Sequence, residues 1–190
     1  SPTLGGCSVS VANAEGGLAP LAEENLHHLS YRRSRFSWVI SLFIIILAQA
    51  SKAYISRNRC LGRSIPVIKN VFHISLVYNT GVAFGLFKGY GIFFVVLSFS
   101  IVAYIARYAI VNRHKDSFKK RMALSLILGG ACGNLIDRLR FGHIVDFFDL
   151  RVWPVFNIAD SAITIGMLLL ILELYVTHNP RRKGLTRNLH

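Results

Sequence analysis

Residues 36–54 read FSWVISLFIIILAQASKAY, a run of apolar side chains in which Lys52 is the one charged residue. A helix needs about 20 predominantly apolar residues to cross the hydrocarbon core of a bilayer. Three further stretches approach this length and composition, at 91–111, 122–136 and 155–177. The pattern therefore predicts an all-α membrane protein with four transmembrane helices.

The composition of the 190-residue chain agrees with a membrane location. Hydrophobic residues make up 53% of it, and 22 Lys and Arg against 9 Asp and Glu give a formal net charge of +13. In a soluble domain such a charge would suggest nucleic-acid binding. Here the basic residues cluster beside the apolar runs, where they set topology and contact anionic headgroups. We expect membrane lipids, and no nucleic acid, as partners.

The four predicted spans place both termini on one side of the membrane. The flanks on that side carry more Arg and Lys than the opposite flanks, which predicts cytoplasmic termini. Residues 1–33 are rich in small and polar residues and are predicted to form a flexible cytoplasmic extension. The predicted transmembrane domain spans residues 34–178, and a basic cytoplasmic tail follows at 179–190.

A β element is predicted between the first two spans. Residues 71–78 read VFHISLVY, in which the large apolar residues Phe72, Ile74, Leu76 and Tyr78 alternate with the period of a strand. The Asn-Thr-Gly sequence that follows is a turn signal. We expect a short strand or small sheet on the outer membrane surface, and a plain hairpin connector is the alternative.

Acidic residues crowd the junction between the third and fourth apolar runs, at Asp137, Asp146, Asp149 and Asp160. Carboxylates at a bilayer boundary are costly to ionise, so such a cluster indicates a functional site. Asp137 is flanked by Arg138, which predicts an ionised, structural carboxylate. Asp149 has Arg151 nearby and is predicted to lie in a solvated bend.

Asp146 and Asp160 have different neighbours. Asp146 lies in the apolar sequence HIVDFF, where loss of hydration would raise its pKa. Asp160 lies in FNIADS, which also lacks a cation. Two such carboxylates brought close together can share one proton, and aspartic proteases use this arrangement to activate a water molecule. The neighbours therefore select Asp146 and Asp160 as the candidate acid and base.

The third span combines small and polar residues. Gly129, Gly130 and Gly133 predict close approach of a neighbouring helix. Asn134 and Arg138 follow at the spacing of one helical turn, which predicts a polar face at the mouth of the bundle. The three cysteines lack CxxC spacing and the seven histidines are scattered, so no metal site or cofactor is expected.

Four blocks of this sequence resemble the lipoprotein signal peptidase family (signal peptidase II), which are bacterial intramembrane aspartyl proteases. They are NTGVAFG (79–85), GGACGNLIDR (129–138), VDF (145–147) and FNIADSA (156–162). The resemblance covers roughly residues 36–176. It implies a membrane-embedded endopeptidase of the bacterial inner membrane that removes signal peptides from prolipoproteins. Cleavage would precede the diacylglyceryl-modified cysteine.

The resemblance also implies roles for individual residues. The family's catalytic aspartates correspond to Asp146 and Asp160, the pair that the neighbours had selected. Residues implied to position the substrate or to brace the site are Asn79, Gly81, Asn134, Asp137, Arg138 and Asn157. For Asn157, simple burial with satisfied hydrogen bonds is the alternative. We expect a monomer that acts on a lipid-modified prolipoprotein near the outer face of the membrane.

One position departs from the family pattern. The family's first span usually reads Asp-Gln-x-(Ser/Thr)-Lys, whereas this chain has Ala48 at the acidic position. Ser51 and Lys52 are retained, and we expect them to form a helix-end polar contact and a snorkelling cation. The missing acid leaves an inactive prolipoprotein-binding paralogue open. A proton-coupled transporter subunit is a second alternative, because intramembrane acids also relay protons.

Overall fold

The computed structural model describes residues 18–58, 61–62, 64–80, 91–113 and 115–178, with side chains from Trp38 onward. Its helices and strands follow one another in the order α1 (Leu18–Asn58), β1 (Ser64–Ile68), β2 (Phe72–Asn79), α2 (Gly91–Val111), α3 (Phe118–Phe141), β3 (Ile144–Asp149) and α4 (Ile158–His178). The predicted site residue Gly81 and the predicted tail at 179–190 lie outside the described residues.

All four helices contain a segment long and apolar enough to cross a membrane. These segments are Trp38–Asn58, Ile92–Val111, Phe118–Phe141 and Ile158–His178. Together with a three-stranded sheet, they confirm the predicted fold class of four membrane-spanning helices and a small β element.

Two helix boundaries differ from the prediction. The backbone of α1 is helical from Leu18, inside the segment predicted to be a flexible extension, and this stretch is rich in the helix formers Leu, Ala and Glu. Helix α3 runs from Phe118 to Phe141 and so extends beyond the apolar run at 122–136, with Asp137 and Arg138 near its C-terminal end on the same helix, as predicted. They are accommodated because both side chains have partners within the protein, described below.

Helix α3 forms the centre of the bundle. In the 18-residue apolar stretch of α3, 61% of the residues are buried, against 22% or less in the corresponding stretches of the other three helices. A Cβ atom built on Gly129 would lie 2.8 Å from the backbone oxygen of Ser41 on α1, and one on Gly130 would lie 2.8 Å from Ile163 on α4. Glycine therefore permits α3 to contact both helices closely, which confirms the packing predicted for this patch.

The sheet is antiparallel in the order β1-β2-β3 and lies against one end of the bundle. Strand β2 covers the predicted segment, whereas β1 and β3 were not predicted. A small apolar core joins the sheet to the helices, because Leu76, Val145 and Phe147 are buried with Ile55 near the end of α1. This core, against which Ile158 also packs, fixes β3 beside the start of α4.

A β-bulge sets which side chains of β2 face β3. Ile74 pairs with Phe148 but Val77 pairs with Asp146, so β2 contains one extra residue between the two pairs. Without it Leu76 would lie opposite Asp146, and Asn79 would point to the other face of the sheet. The uninterrupted alternation predicted for residues 71–78 is therefore wrong beyond Ile74. The bulge places Asn79 on the same face as Asp146.

Polar contacts join the helices at the opposite end of the bundle. Ser117 caps α3 by accepting a hydrogen bond from the backbone N of Lys120, and its hydroxyl donates to Glu173 of α4 at 2.6 Å. The Lys120 ammonium lies 2.8 Å from Asp116 and also contacts the Tyr108 hydroxyl of α2. These bonds join α2, α3 and α4 at the end distant from the sheet.

Candidate active site

Asp160 is held at the first turn of α4 by a reciprocal cap. The side-chain oxygen of Asn157 accepts hydrogen bonds from the backbone N atoms of Ala159 and Asp160, at 2.7 and 3.2 Å. In return, Asp160 Oδ2 accepts a hydrogen bond from the backbone N of Asn157 at 3.1 Å. This is a capping box, and a carboxylate at a helix N-terminus is also favoured by the helix dipole. The local sequence FNIAD therefore fixes the position of Asp160.

Asp146 lies on β3 and is joined to the same asparagine. Its side chain is 2% exposed. Its Oδ1 atom accepts a hydrogen bond from Asn157 Nδ2 at 2.6 Å, and its Oδ2 atom accepts one from Asn79 Nδ2 at 3.0 Å. Asn157 is fully buried and contacts both acids, Asp146 through its side-chain amide and Asp160 through its backbone N. The structure thus brings the two selected carboxylates together at one buried residue.

Asn134 of α3 braces Asp160 from a third element. Its amide nitrogen donates to Asp160 Oδ1 at 2.7 Å. Its oxygen accepts hydrogen bonds from Lys52 Nζ at 2.8 Å and from Asn157 Nδ2 at 3.3 Å. Because the amide oxygen faces an ammonium group, the amide nitrogen is directed toward the carboxylate. Three helices and two strands therefore contribute to a single hydrogen-bond network.

Lys52 and Asp137 form a buried ion pair beneath this network. Lys52 Nζ lies 2.6 Å from Asp137 Oδ2, and the two side chains are 3% and 1% exposed. Gln49 Nε2 donates to Asp137 Oδ1 at 2.8 Å, and the backbone N of Val145 donates to Oδ2 at 3.3 Å. The prediction that Lys52 snorkels to the surface is therefore wrong, because its ammonium has a carboxylate and an amide oxygen inside the bundle.

Arg138 contacts α2 rather than the two acids. Its guanidinium donates to Ser98 Oγ at 3.0 Å and lies 5.9 Å from the ring centroid of Phe94. Arg138 therefore braces α2 against α3. The neighbouring acid on the same helix, Asp137, pairs with Lys52 and not with an adjacent arginine, which corrects the partner inferred from the sequence.

Asp149 is buried, which corrects the solvated bend predicted from the sequence. Its carboxylate accepts hydrogen bonds from the Ser75 hydroxyl and the backbone N of Arg151, each at 2.9 Å. The error arose because Ser75 lies 74 residues earlier in the chain. The Asp149 carboxylate is therefore hydrogen-bonded to Ser75 and Arg151, and neither bond connects it to Asp146 or Asp160.

The environment of Asp146 favours its protonated form. Burial raises the pKa of Asp146 to about 6, and the nearby charge of Asp160 adds to the increase. Hydrogen bonds from Asn157 and Asn79 and the charge of Lys52 act in the opposite direction. A carboxyl group with a pKa in this range can hold or release a proton near neutral pH, as general acid–base catalysis requires.

An open cleft of about 390 Å³ lies beside Asp160. Its walls are mainly apolar and its lining residues are Leu150, Trp153, Phe156, Asp160, Ser161, Thr164 and Ile165. Asp160 is only partly buried, whereas Asp146 is fully enclosed. An apolar cleft with a few converging polar groups is the usual form of a substrate site.

Gln49 belongs to the site through its bond to Asp137 but was not among the predicted site residues, although it lies three residues before Lys52 in the block that resembles the family. Ala48, the departure in that block, is fully buried and faces the Gly133 position on α3. In the described part of the chain the buried side-chain atoms without a partner are His73 Nε2 and Arg121 Nε. Neither belongs to the site, so Ala48 leaves no unsatisfied group in it.

Comparison with known proteins places this geometry in a family. The sequence model described as "Signal peptidase (SPase) II" matches residues 40–176. The lipoprotein signal peptidase of Halothermothrix orenii is 42% identical over 138 residues, which cover 73% of this chain and 94% of that protein. The lipoprotein signal peptidase of Moorella thermoacetica is 45% identical over 136 residues, which cover 72% and 90%.

Solved structures agree with the sequence comparison. A bacterial membrane enzyme determined by the in meso method at 2.3 Å resolution superimposes with a TM-score of 0.69 and 34% sequence identity. The superposition covers 76% of this chain and 91% of that one. With most of the chain matched in both sequence and fold, the protein belongs to the lipoprotein signal peptidase (signal peptidase II) family, whose members are membrane-embedded proteases.

Proposed function

We propose that this chain is an aspartic endopeptidase that removes signal peptides from prolipoproteins by cleaving before the diacylglyceryl-modified cysteine. The observation that carries the proposal is the joining of two carboxylates, Asp146 and Asp160, through one fully buried residue, Asn157. Family membership supports the substrate class. All groups that the proposed reaction needs are side chains of this chain and a water molecule.

The proposed mechanism assigns a separate role to each acid. Asp146 is the enclosed carboxyl with the raised pKa, so it holds the proton that the pair shares. Asp160 faces the cleft and takes a proton from the water molecule as that water attacks the scissile carbonyl carbon. Asp146 donates its proton to the carbonyl oxygen. When the C–N bond breaks, the amine leaving group receives the proton that Asp160 had taken, and a hydroxyl proton of the collapsing intermediate returns to Asp146, so both acids regain their starting state.

Lateral access from the bilayer is part of the proposal. Helix α2 packs mainly against α3, and only 6% of the residues in its 18-residue apolar stretch are buried. The cleft residues Thr164 and Ile165 on α4 are exposed. A substrate helix could therefore approach Asp160 sideways while its acyl chains remain in lipid.

We place the sheet and the acids near the outer face of the bacterial inner membrane, with cytoplasmic termini, in accordance with the charge distribution.

The two alternatives left open by the sequence have less support. A proton-coupled transporter needs ionisable groups along a path across the bilayer, whereas Asp146, Asp160 and the Lys52–Asp137 pair are connected at one end of the bundle. The hypothesis of an inactive paralogue was based on Ala48. The hydrogen-bond network is complete without an acid at that position.

Cleavage of a defined precursor in detergent tests the proposed function. The purified chain is mixed with a synthetic prolipoprotein segment bearing a diacylglyceryl cysteine, and with the same segment bearing a free cysteine. We expect one cut, before the modified cysteine, in the lipidated segment alone, and no loss of turnover with a chelator. Mass spectrometry of the products identifies the bond. Binding without turnover, or equal cleavage of both segments, would contradict the proposal.

The pH dependence of cleavage tests the assignment of acid and base. Because the pKa of Asp146 is raised to about 6, the proton that the mechanism needs on this group is present below that pH and is lost above it. The kcat/KM value is therefore expected to fall roughly tenfold for each pH unit above about 6. Stopped assays on the lipidated segment between pH 4 and 9 measure this. A kcat/KM value that rises through pH 6 would instead make Asp146 the base.

A further inference from the structure

A second cleft, of about 440 Å³, lies between α1 and α3 beside the buried ion pair. Its lining residues are Gln49, Lys52, Ala53, Ser56, Arg57, Asp137, Arg140, Phe141 and Val145. None of them lines the cleft beside Asp160. This basic cleft is therefore a separate cavity, and the proposed reaction does not use it.

The charges around the basic cleft do not cancel. Lys52 and Asp137 at its base neutralise each other through their 2.6 Å contact. Arg57 and Arg140 are exposed, and within the described ranges neither has a carboxylate at ion-pair distance. The Arg140 guanidinium lies over the ring of Phe141, with 4.9 Å to its centroid. The cavity is therefore lined by two arginines without an ion-pair partner in the described ranges, and the one acid in its lining, Asp137, is already paired with Lys52.

The basic cleft lies at the level where the membrane-spanning helices end. Arg57 precedes the last residue of α1, and Arg140 precedes the last residue of α3. Further along α1, toward the middle of the membrane, Leu42 and Ile46 lie on the same helix face as Ala53 and are exposed and apolar. A molecule that occupies the basic cleft thus has positive charge around its polar end and an apolar helix surface beside any attached chain.

We infer that the basic cleft binds the phosphate group of an anionic phospholipid. The planar guanidinium group of arginine matches phosphate oxygens in a bidentate geometry. The hydroxyl of Ser56, which also lines the cavity, is a third donor. A zwitterionic lipid carries its own cation, which two arginines would repel. A soluble anion would leave the exposed side chains of α1 uncovered.

Lipid retention by variants of the full chain in detergent tests this inference. Native mass spectrometry compares binding of phosphatidylglycerol and phosphatidylcholine to the wild type and to the double variant Arg57→Gln, Arg140→Gln. Each basic residue near the surface contributes about fivefold to the affinity for an anionic lipid, so the double variant is expected to bind phosphatidylglycerol roughly 25-fold more weakly. Phosphatidylcholine binding should stay unchanged and weaker throughout.

A matched control removes two exposed cations outside the basic cleft. The double variant Arg107→Gln, Lys119→Gln also removes two positive charges. Arg107 lies on α2 and Lys119 at the start of α3, and neither lines the basic cleft. Full phosphatidylglycerol binding by this control supports the site. Equal loss in both double variants, or equal binding of the two lipids by the wild type, would overturn it. Displacement of the lipid by inorganic phosphate at the same concentration would overturn the assignment to a lipid.

Discussion

Asp146→Asn is expected to lower kcat for cleavage of the lipidated precursor by at least about 10³-fold, because general acid–base catalysis by one group commonly supplies 10² to 10⁴-fold and the two acids act as a pair. Asparagine keeps the size of the side chain but has no proton to donate to the carbonyl oxygen. Asp160→Asn should cause a similar loss, because the base is then absent. Single-turnover assays with excess enzyme measure the chemical step directly.

Asp149→Asn is the matched control for this result. Asp149 lies on the same strand and is also buried, but its carboxylate contacts Ser75 and Arg151 rather than the site. This variant should cleave at close to the wild-type rate. Normal turnover by Asp146→Asn, combined with complete loss in Asp137→Asn, would show that the catalytic acids had been assigned to the wrong residues.

The stability of Asp146→Asn separates loss of chemistry from loss of fold. A rise in pKa from the ordinary 3.8 to about 6 means that ionised Asp146 destabilises the folded state, by roughly 3 kcal/mol at neutral pH. In the wild type the protonated form of Asp146 avoids this cost, so the protein has its full stability below pH 4 and loses about that amount as the pH rises through 6. The asparagine variant should lack that dependence, so its thermal unfolding temperature at pH 7 should not fall below that of the wild type.

The choice of the two acids could be made from the sequence because the relevant signal is local. Neither Asp146 nor Asp160 has a cation close to it in sequence, Asp146 also has apolar neighbours, and the structure joins the two through Asn157. The four helices were also predictable, since a span needs only length and apolar composition. The position of Asp160 follows from a short capping sequence that acts within one helical turn.

Other parts of the site depend on contacts between distant residues. Lys52 meets Asn134 across 82 positions of sequence, so its neighbours gave no sign that it is buried. Asn79 reaches Asp146 only because of the bulge in β2, and a one-residue shift in strand pairing is not visible in an alternating apolar pattern. Strand β3 was not predicted because VDFFD is short and buried along most of its length, which removes the alternation that marks a half-exposed strand.

Lys52→Met is expected to destabilise the protein by about 3 to 5 kcal/mol, because it leaves the carboxylate of Asp137 buried without its cation. Methionine keeps the unbranched chain of lysine as far as Cε and lacks only the ammonium group, so little packing is lost. The variant also removes the donor that orients Asn134 toward Asp160, and cleavage should weaken even in the molecules that remain folded. Thermal or denaturant unfolding in detergent measures the first effect, and kcat at a permissive temperature measures the second.

Two further variants test whether the loss of stability in Lys52→Met comes from burial of the unpaired Asp137 charge. Lys120→Met removes a cation from a more exposed pair with Asp116, at 2.8 Å, and should cost about 1 kcal/mol or less. Adding Asp137→Asn to Lys52→Met removes the stranded charge, so the double variant should recover much of the lost stability. The Gln49 amide still finds an acceptor in the oxygen of the new asparagine. Equal costs for Lys52→Met and Lys120→Met, or additive losses in the double variant, would mean that the pair beneath Asn134 is not held together by its charges.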